Sequence, residues 1–246
     1  TMQKMEKYKG HFYNWYDTET LNPLPPNYIS TVDSGNLAGH LLVLRQGLLA
    51  IPNQEIQSKQ LFNGMMATVR LLADSCNAHD SKLLEPFVIE LQKACNVQEC
   101  TRIEMKNRVE LLGEHFSLIS EKLGDEPKSE TYRWKQLVIK ELQQINVHLQ
   151  IFEPWVLLAN APAKFTELTL MNSNSTLAEL LKTANELKVE VNHQQKETNT
   201  TDENKWLELF QTALTESINK SDQLITAAEN LARQCNELAD MEWDFL

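Results

Sequence analysis

The stretch GNLAGHLLVLRQGLLAI, residues 35–51, places apolar side chains at alternating spacings of four and three residues. This spacing puts them on one side of an α-helix. The positions concerned are Leu37, Leu41, Leu44, Leu48 and Ile51. Asp33 or Ser34 is suited to cap the start of the helix, and Pro52 ends it. The stretch therefore predicts a helix of about five turns and sets the pattern for the rest of the chain.

The same helical pattern recurs along most of the chain, and no stretch has a convincing strand pattern. Ser175 or Thr176 is predicted to cap one of these helices, with Glu179 placed for a capping box. The predicted fold class is all-α, with helices joined by short turns. Two architectures fit this prediction: part of an α/α toroid, in which paired helices form concentric rings, or an antiparallel helical bundle. The further predicted helices cover residues 55–76, 82–95, 99–123, 129–152, 175–195 and 202–241. The predicted apolar positions in the helices at 129–152 and 202–241 include Leu142, Ile145, Leu149, Trp206, Phe210, Leu224 and Leu231.

The composition excludes several classes of protein. Of the 246 residues, 42% are hydrophobic, and the net charge is −11 with no cluster of Lys and Arg, so we expect a buried core and no nucleic-acid partner. There is no apolar run of about 18 residues, so we expect the isolated chain to be soluble and intracellular. The cysteines have neither disulfide-scaffold nor zinc-site spacing, so we expect free thiols, no metal ion and no cofactor. They are Cys76, Cys95, Cys100 and Cys235.

The stretch from Gly10 to His40 differs from the rest because aromatic residues, prolines, Asp and Asn are concentrated there. Sugar sites combine rings that stack on apolar sugar faces with carboxylate and amide groups that bind hydroxyls. Residues 13–17 and residues 31–36 have the necessary side chains. The alternative is structural: the rings anchor an N-terminal extension, and Asp33 or Ser34 only caps the helix. Composition leaves both interpretations open.

Residues 7–48 resemble a segment of the bacterial cyclic β-1,2-glucan synthases, which are very large membrane-bound carbohydrate enzymes. Three motifs carry the resemblance in the same order and with nearly the same spacing: HFYNWYDT from His11, LNPLPPNY from Leu21 and STVDSGNLAGHL from Ser30. The final residues CNELADMEWDFL, from Cys235, resemble the family's segment that leads into its glycoamylase-like part. The residues between these two segments are helical but variable in the family.

The resemblance implies a parent enzyme with several regions. One region uses UDP-glucose to transfer glucose, a central transglycosylating region closes the β-1,2-glucan ring, and a phosphorylase-like region trims the chain length. This chain would contribute helices to the central toroid, at the cytoplasmic face of the bacterial inner membrane. Its partners would be β-1,2-glucan and the remaining regions of the parent, and exposed apolar helices would favour a homo-oligomer.

The resemblance also implies roles for individual residues. Asp17 and Asp33 would bind sugar hydroxyls, and Trp15 would stack on a sugar ring. The catalytic carboxylates would lie beyond Leu246, so the catalytic residues are unknown and the chain alone would be inactive. The implied substrate-contact residues are Tyr13, Asn14, Trp15, Tyr16, Asp17, Thr31, Asp33, Ser34, Gly35 and Asn36.

The predicted organisation is a segment of contact loops and the first helix in residues 1–52, followed by a helical region in residues 53–246. Together these would form one structural unit of a larger protein. Two alternatives from other classes remain open. A freestanding glycoside hydrolase would need a complete acid and nucleophile pair within the chain. A non-enzymatic helical interaction module would dock partner helices on its amphipathic faces.

Overall fold

A computed structural model describes residues 1–56, 59–96, 102–124, 126–158, 160–169, 176–197 and 200–244. Helices dominate these residues, which confirms the all-α class. The α-helices are α1 (Thr31–Ala50), α2 (Lys59–Ser75), α3 (Ala78–Asn96), α4 (Arg102–Ser120), α5 (Glu130–Phe152), α6 (Leu177–Gln194) and α7 (Thr201–Ala239). Short 3₁₀ turns lie at Met2–Lys4, Ile51–Asn53, Pro154–Leu157 and Ala163–Thr169. None of the helices in the described ranges combines the length and hydropathy that a membrane crossing requires.

The chain divides into two compact units. The first unit comprises Thr1–Gln54 and Gln223–Leu246, and the second comprises Glu55–Asp222. The predicted division after residue 52 stays a prediction. In the structure, α7 begins in the second unit, and its C-terminal part belongs to the first. An uninterrupted helix carries no sequence signal at the point where its packing partners change.

In the second unit, α2 to α5 pack as a four-helix bundle. α2 packs against α3 and α5, and α4 also packs against α3 and α5, so the four helices form a closed ring of contacts. Of the two predicted architectures, this ring is that of a bundle, and a toroid stays a prediction for the parent protein. The buried core of the bundle includes Met65, Leu72, Leu84, Phe87, Leu91, Val109, Leu112, Phe116, Val138 and Leu142.

Side-chain caps explain where two helices of the second unit start. The capping box predicted for α6 is confirmed: Thr176 Oγ1 accepts a hydrogen bond from the Glu179 N–H (3.2 Å), and Glu179 Oε2 accepts one from the Thr176 N–H (2.9 Å). The alternative cap, Ser175, lies outside the described residues. α3 starts four residues earlier than predicted because Asn77 Oδ1 accepts hydrogen bonds from two backbone N–H groups of its first turn (both 2.9 Å).

An aromatic stack belongs to the interior of the second unit. The Phe165 and Trp206 rings are nearly parallel with centroids 5.8 Å apart, and Trp206 stacks on Phe210 at 4.8 Å. All three side chains are buried. The predicted apolar face of α7 is therefore confirmed at Trp206 and Phe210. In this unit, the chain uses stacked rings to fill its core.

The first unit contains a short antiparallel hairpin that the sequence did not indicate. Its strands are β1 (Lys7–Tyr8) and β2 (His11–Phe12), and Lys7 pairs with Phe12. The connecting residues, Lys9 and Gly10, both have positive φ, 50° and 86°, as a two-residue hairpin turn requires. Strands of two residues are too short to show an alternating pattern.

The remaining core of the first unit lies between α1 and the C-terminal part of α7. It consists of Leu41, Cys235 and Leu238, with Leu37, Leu48 and Ala239 packed against them. The predicted stripe of α1 is therefore only partly correct, because Leu44 is 53% exposed. In α7, the predicted apolar positions Leu224 and Leu231 are also exposed, whereas the smaller Ala228 and Ala232 are buried. Small side chains let helices approach closely, and a hydropathy pattern does not reveal this preference.

Candidate functional site

Residues 13–30 form a loop in the first unit whose two arms run antiparallel. The N–H of Asn14 donates to the carbonyl oxygen of Tyr28 (2.9 Å), and the N–H of Leu24 donates to that of Trp15 (3.0 Å). The backbone therefore fixes the positions of residues 13–17, the first of the two predicted contact runs. The loop then leads directly into α1, which carries the second run.

Asp17 holds the turn at the tip of this loop. Its Oδ1 accepts hydrogen bonds from the N–H groups of Thr20 (2.6 Å) and Glu19 (3.0 Å) and from the Thr20 hydroxyl (2.9 Å). The bonds from the Thr20 backbone and side chain are the main reason that the pKa of Asp17 is lowered. Asp17 is thus a structural carboxylate, and its predicted binding of sugar hydroxyls stays a prediction.

Tyr16 fastens the loop to the N-terminal residues. Its hydroxyl donates to the carbonyl oxygen of Glu6 (2.6 Å) and accepts from the N–H of Tyr13 (2.9 Å). Burial is the largest effect on this hydroxyl and raises the pKa of Tyr16. The Tyr13 and Tyr16 rings meet edge to face with centroids 6.2 Å apart. For Tyr16, these contacts match the structural alternative, in which the ring anchors the N-terminal segment.

Ser30 caps α1, so the prediction of Asp33 or Ser34 as the cap is wrong. The helix starts at Thr31, and Ser30 Oγ accepts a hydrogen bond from the Asp33 N–H (3.1 Å). Several neighbouring residues are suitable cap types, and only Ser30 has the extended backbone of a cap before the first helical residue. Asp33 instead lies in the first turn, where the helix dipole favours a carboxylate.

Asn14 brings the two predicted runs together. Its Oδ1 accepts a hydrogen bond from the Ser30 N–H (2.9 Å), and its Nδ2 donates to Asp33 Oδ2 (3.4 Å). A cavity of about 280 Å³ lies beside this contact. It is lined by Phe12, Tyr13, Asn14, Asp33, Ser34 and Leu37. The cavity thus places an amide and a carboxylate beside two aromatic rings, which is the combination that binds sugars.

Four of the ten predicted contact residues line this cavity. Those that line it are Tyr13, Asn14, Asp33 and Ser34, and those that do not are Trp15, Tyr16, Asp17, Thr31, Gly35 and Asn36. Thr31, Gly35 and Asn36 are exposed at the start of α1. Two further lining residues, Phe12 and Leu37, were not among the predicted contact residues, because the prediction selected the polar and aromatic residues of the runs 13–17 and 31–36. The motif HFYNWYDT contains Phe12 and was the available signal for it.

The C-terminal residues of the first unit support the hairpin that precedes the loop. The Glu242 N–H donates to the carbonyl oxygen of Lys9 (3.0 Å), and His11 Nε2–H donates to the carbonyl oxygen of Glu242 (2.6 Å). The Lys9 ammonium and the Glu242 carboxylate form an ion pair (3.0 Å), and the Trp243 ring meets His11 edge to face. The two segments on which the family resemblance rests are therefore in contact.

The three cysteines that the structure describes offer no reactive thiol. Burial raises the pKa of the Cys76 and Cys95 thiols, and a thiol with a raised pKa is a poor nucleophile at neutral pH. Cys235 is buried in the core of the first unit, and Cys100 lies outside the described residues. In the described part of the chain, no three His, Cys, Asp or Glu residues are grouped so that they could hold a metal ion.

Comparison with known proteins finds a relative for one part of the chain. Over 44 residues, 18% of this chain, it is 57% identical to the cyclic beta-(1,2)-glucan synthase NdvB of Rhizobium meliloti (strain 1021). The match covers only 2% of the length of that protein. No family model matches the chain. The comparison thus supports a relationship to a glucan synthase over a short segment, similar in length to residues 7–48.

Proposed function

We propose that this chain is part of a cyclic β-1,2-glucan synthase-like enzyme and that its first unit provides a contact site for β-1,2-glucan. The observation that carries the proposal is that residues 13–17 and 31–36 meet at one cavity through the Asn14–Asp33 hydrogen bond (3.4 Å). The 57% identity to NdvB over 44 residues supports glucan as the ligand.

The cavity residues have complementary chemistry for a sugar. The Asp33 carboxylate accepts hydrogen bonds from hydroxyls, whereas the Asn14 amide both donates and accepts. The Phe12 and Tyr13 rings offer apolar surface to the C–H face of a sugar ring. A cavity of about 280 Å³ is slightly smaller than typical ligand pockets, which are about 300–1,000 Å³. It is therefore suited to one or two sugar units of a longer glucan.

The proposed role is binding, with catalysis supplied by other regions of the parent. A general acid requires a raised pKa, whereas hydrogen bonds from Thr20 lower the pKa of Asp17. Asp33 is hydrogen-bonded to Asn14 at the surface of α1 and has the role of a hydroxyl acceptor. In this proposal, the UDP-glucose-dependent and transglycosylating carboxylates lie elsewhere in the parent, and the chain alone is inactive.

Calorimetric titration of the chain with linear β-1,2-linked glucose oligomers tests the proposal. Asp33→Ala is expected to raise the Kd about tenfold or more, because a hydrogen bond to a charged group contributes about 1.5–3 kcal/mol. Asp80→Ala is the matched control. Asp80 also lies in the first turn of a helix and also accepts a hydrogen bond from an asparagine amide, that of Asn77 (2.9 Å). It belongs to the second unit and should leave the Kd unchanged.

Three outcomes would contradict this assignment in different ways. If the chain binds no glucan, the contact site is wrong. If Asp33→Ala and Asp80→Ala weaken binding equally, the effect is not local to the cavity. If the incubated chain releases new reducing ends from the oligomers, it is a freestanding glycoside hydrolase, and the proposal of an inactive chain is wrong.

A second candidate function, a helical interaction module, is favoured by the outward face of α1. Val43 is 74% exposed, and Val32, Leu42, Leu44 and Leu49 are exposed as well. Contiguous exposed apolar side chains on a protein surface often mark a site of interaction with another protein. Light scattering tests this function. A molar mass that falls from oligomer to monomer in a Val43→Glu variant would support it. If the unsubstituted chain is monomeric and does not bind glucan, both candidate functions are wrong.

A further inference from the structure

We propose that Trp15 and Tyr28 form a second saccharide-contact surface, a two-ring platform, and that Tyr28 is a contact residue of the glucan site. The ring centroids lie 6.1 Å apart, and the ring planes are inclined by 30°. Trp15 is 50% exposed and Tyr28 is 54% exposed. Neither ring lines the cavity beside Asn14 and Asp33, so the platform lies outside that cavity.

The backbone of the loop holds the two rings in place. Tyr28 accepts a hydrogen bond from Asn14 through its carbonyl oxygen (2.9 Å), and Trp15 accepts one from Leu24 in the same way (3.0 Å). The rings therefore belong to opposite arms that are tied to each other. A surface that is already ordered loses little conformational freedom when a ligand binds, which favours binding.

The exposure of this ring pair is not explained by packing within the chain. Single exposed aromatic residues are common on protein surfaces, but here two rings contact each other and both remain about half open. In the second unit, the stacked rings of Phe165, Trp206 and Phe210 are buried. The platform thus offers apolar surface to a ligand, whereas the buried stack serves only the core.

The surroundings of the platform favour a saccharide over a protein partner. Exposed amide side chains at Asn22 and Asn27 lie in the same loop as the two rings. The centre of a protein interface is mainly apolar and dry, whereas a sugar needs hydrogen-bonding groups around the ring that it covers. The ligand is the same β-1,2-glucan, so this inference rests on the proposed function. Because the rings lie outside the cavity, we expect a long oligomer to contact both surfaces more readily than a disaccharide does.

Titration with two ligands separates the platform from the cavity: the β-1,2-linked glucose disaccharide and an oligomer of more than six units. Tyr28→Ala is expected to raise the Kd of the long oligomer about tenfold, which corresponds to about 1.4 kcal/mol, and to change the Kd of the disaccharide less. Tyr28→Phe keeps the ring, so this variant should bind the long oligomer with the Kd of the unsubstituted chain. Tyr8→Ala is the matched control, since Tyr8 is 47% exposed and lies outside the ring pair.

The possible results distinguish the platform from the proposed function. If Asp33→Ala weakens glucan binding and Tyr28→Ala does not, the platform is wrong and the glucan site stands. Trp15→Ala should reproduce the effect of Tyr28→Ala, and a normal Kd for this second variant would also refute the platform. If the chain binds neither ligand, both proposals are wrong. If the ring variants instead change the molar mass in light scattering, the rings dock a protein and not a sugar.

Discussion

Replacing Gly10 with alanine is a sensitive test of the packing of the first unit. Gly10 has φ 86°, a left-handed backbone conformation that residues with a side chain rarely adopt. A Cβ atom at this position would clash with the carbonyl oxygen of Asp240 and lie 3.0 Å from Cα of Met241. Both neighbours are backbone atoms, so the hairpin or the C-terminal segment must move. Gly10→Ala therefore perturbs the contact between the hairpin and the C-terminal residues of the first unit.

The expected loss of stability has two parts. The left-handed conformation costs an alanine about 1–2 kcal/mol, and forcing an extra methyl group into a packed site costs about 1–3 kcal/mol. We expect Gly10→Ala to lower the free energy of unfolding of the first unit by roughly 2–5 kcal/mol. Gly39→Ala is the matched control, because Gly39 lies within α1 and a Cβ there would meet nothing within 4 Å. It should stabilise the unit by about 0.5–1 kcal/mol.

Urea unfolding followed by circular dichroism measures the change. With an m-value of about 1–3 kcal/mol/M, a loss of 2 kcal/mol lowers the midpoint by roughly 1 M. Hydrogen–deuterium exchange of α1 peptides reports the first unit separately from the second. An unchanged midpoint for Gly10→Ala, or equal losses for Gly10→Ala and Gly39→Ala, would refute the reasoning from the close approach to Asp240.

Three further substitutions test side chains that form local hydrogen bonds. Ser30→Ala removes the cap of α1 and should cost about 1 kcal/mol, seen as faster hydrogen exchange in its first turn. Ionised Asp17 has a lowered pKa in the folded chain, so its contribution is complete above its ordinary pKa of about 3.9 and is lost as pH falls through the lowered value. Asp17→Asn should therefore remove part of the pH dependence in acid unfolding. Thr68→Val removes the hydroxyl that donates to Glu141 (2.8 Å) and should lower the urea midpoint by the equivalent of about 1–3 kcal/mol.

The helices of the second unit were the part of the fold most accessible from sequence. The predicted positions Leu142, Ile145 and Leu149 of α5 are all buried, because a helix with one buried face imposes a period on its apolar residues. Leu224 and Leu231 of α7 follow the same period but are exposed. In this part of α7, the neighbouring helix and its distance from α7 decide which side chains are buried. The local sequence predicts neither of them.

The candidate site was predictable as two segments but not as an arrangement. Asn14 and Asp33 lie 19 positions apart, and their contact depends on the folding of the whole loop between them. The spacing of residues in the sequence could not show that Asp17 Oδ1 accepts hydrogen bonds within the turn. It also could not show that the Tyr16 hydroxyl donates to the Glu6 carbonyl oxygen. It also gave no reason to select Tyr28, whose place beside Trp15 follows from the pairing of the two arms.

The different physical demands on the two units explain why similarity to another protein would be found over a short segment. A bundle core tolerates many apolar substitutions if volume and pattern are kept, so its sequence can change while its fold remains. In the first unit, Gly10 has a positive φ, Asp17 accepts three hydrogen bonds and Asn14 joins Ser30 to Asp33. Few other residues meet these conditions. A short match at high identity, such as the 44 residues that are 57% identical to NdvB, is expected wherever side chains are specified one by one by hydrogen bonds and backbone geometry.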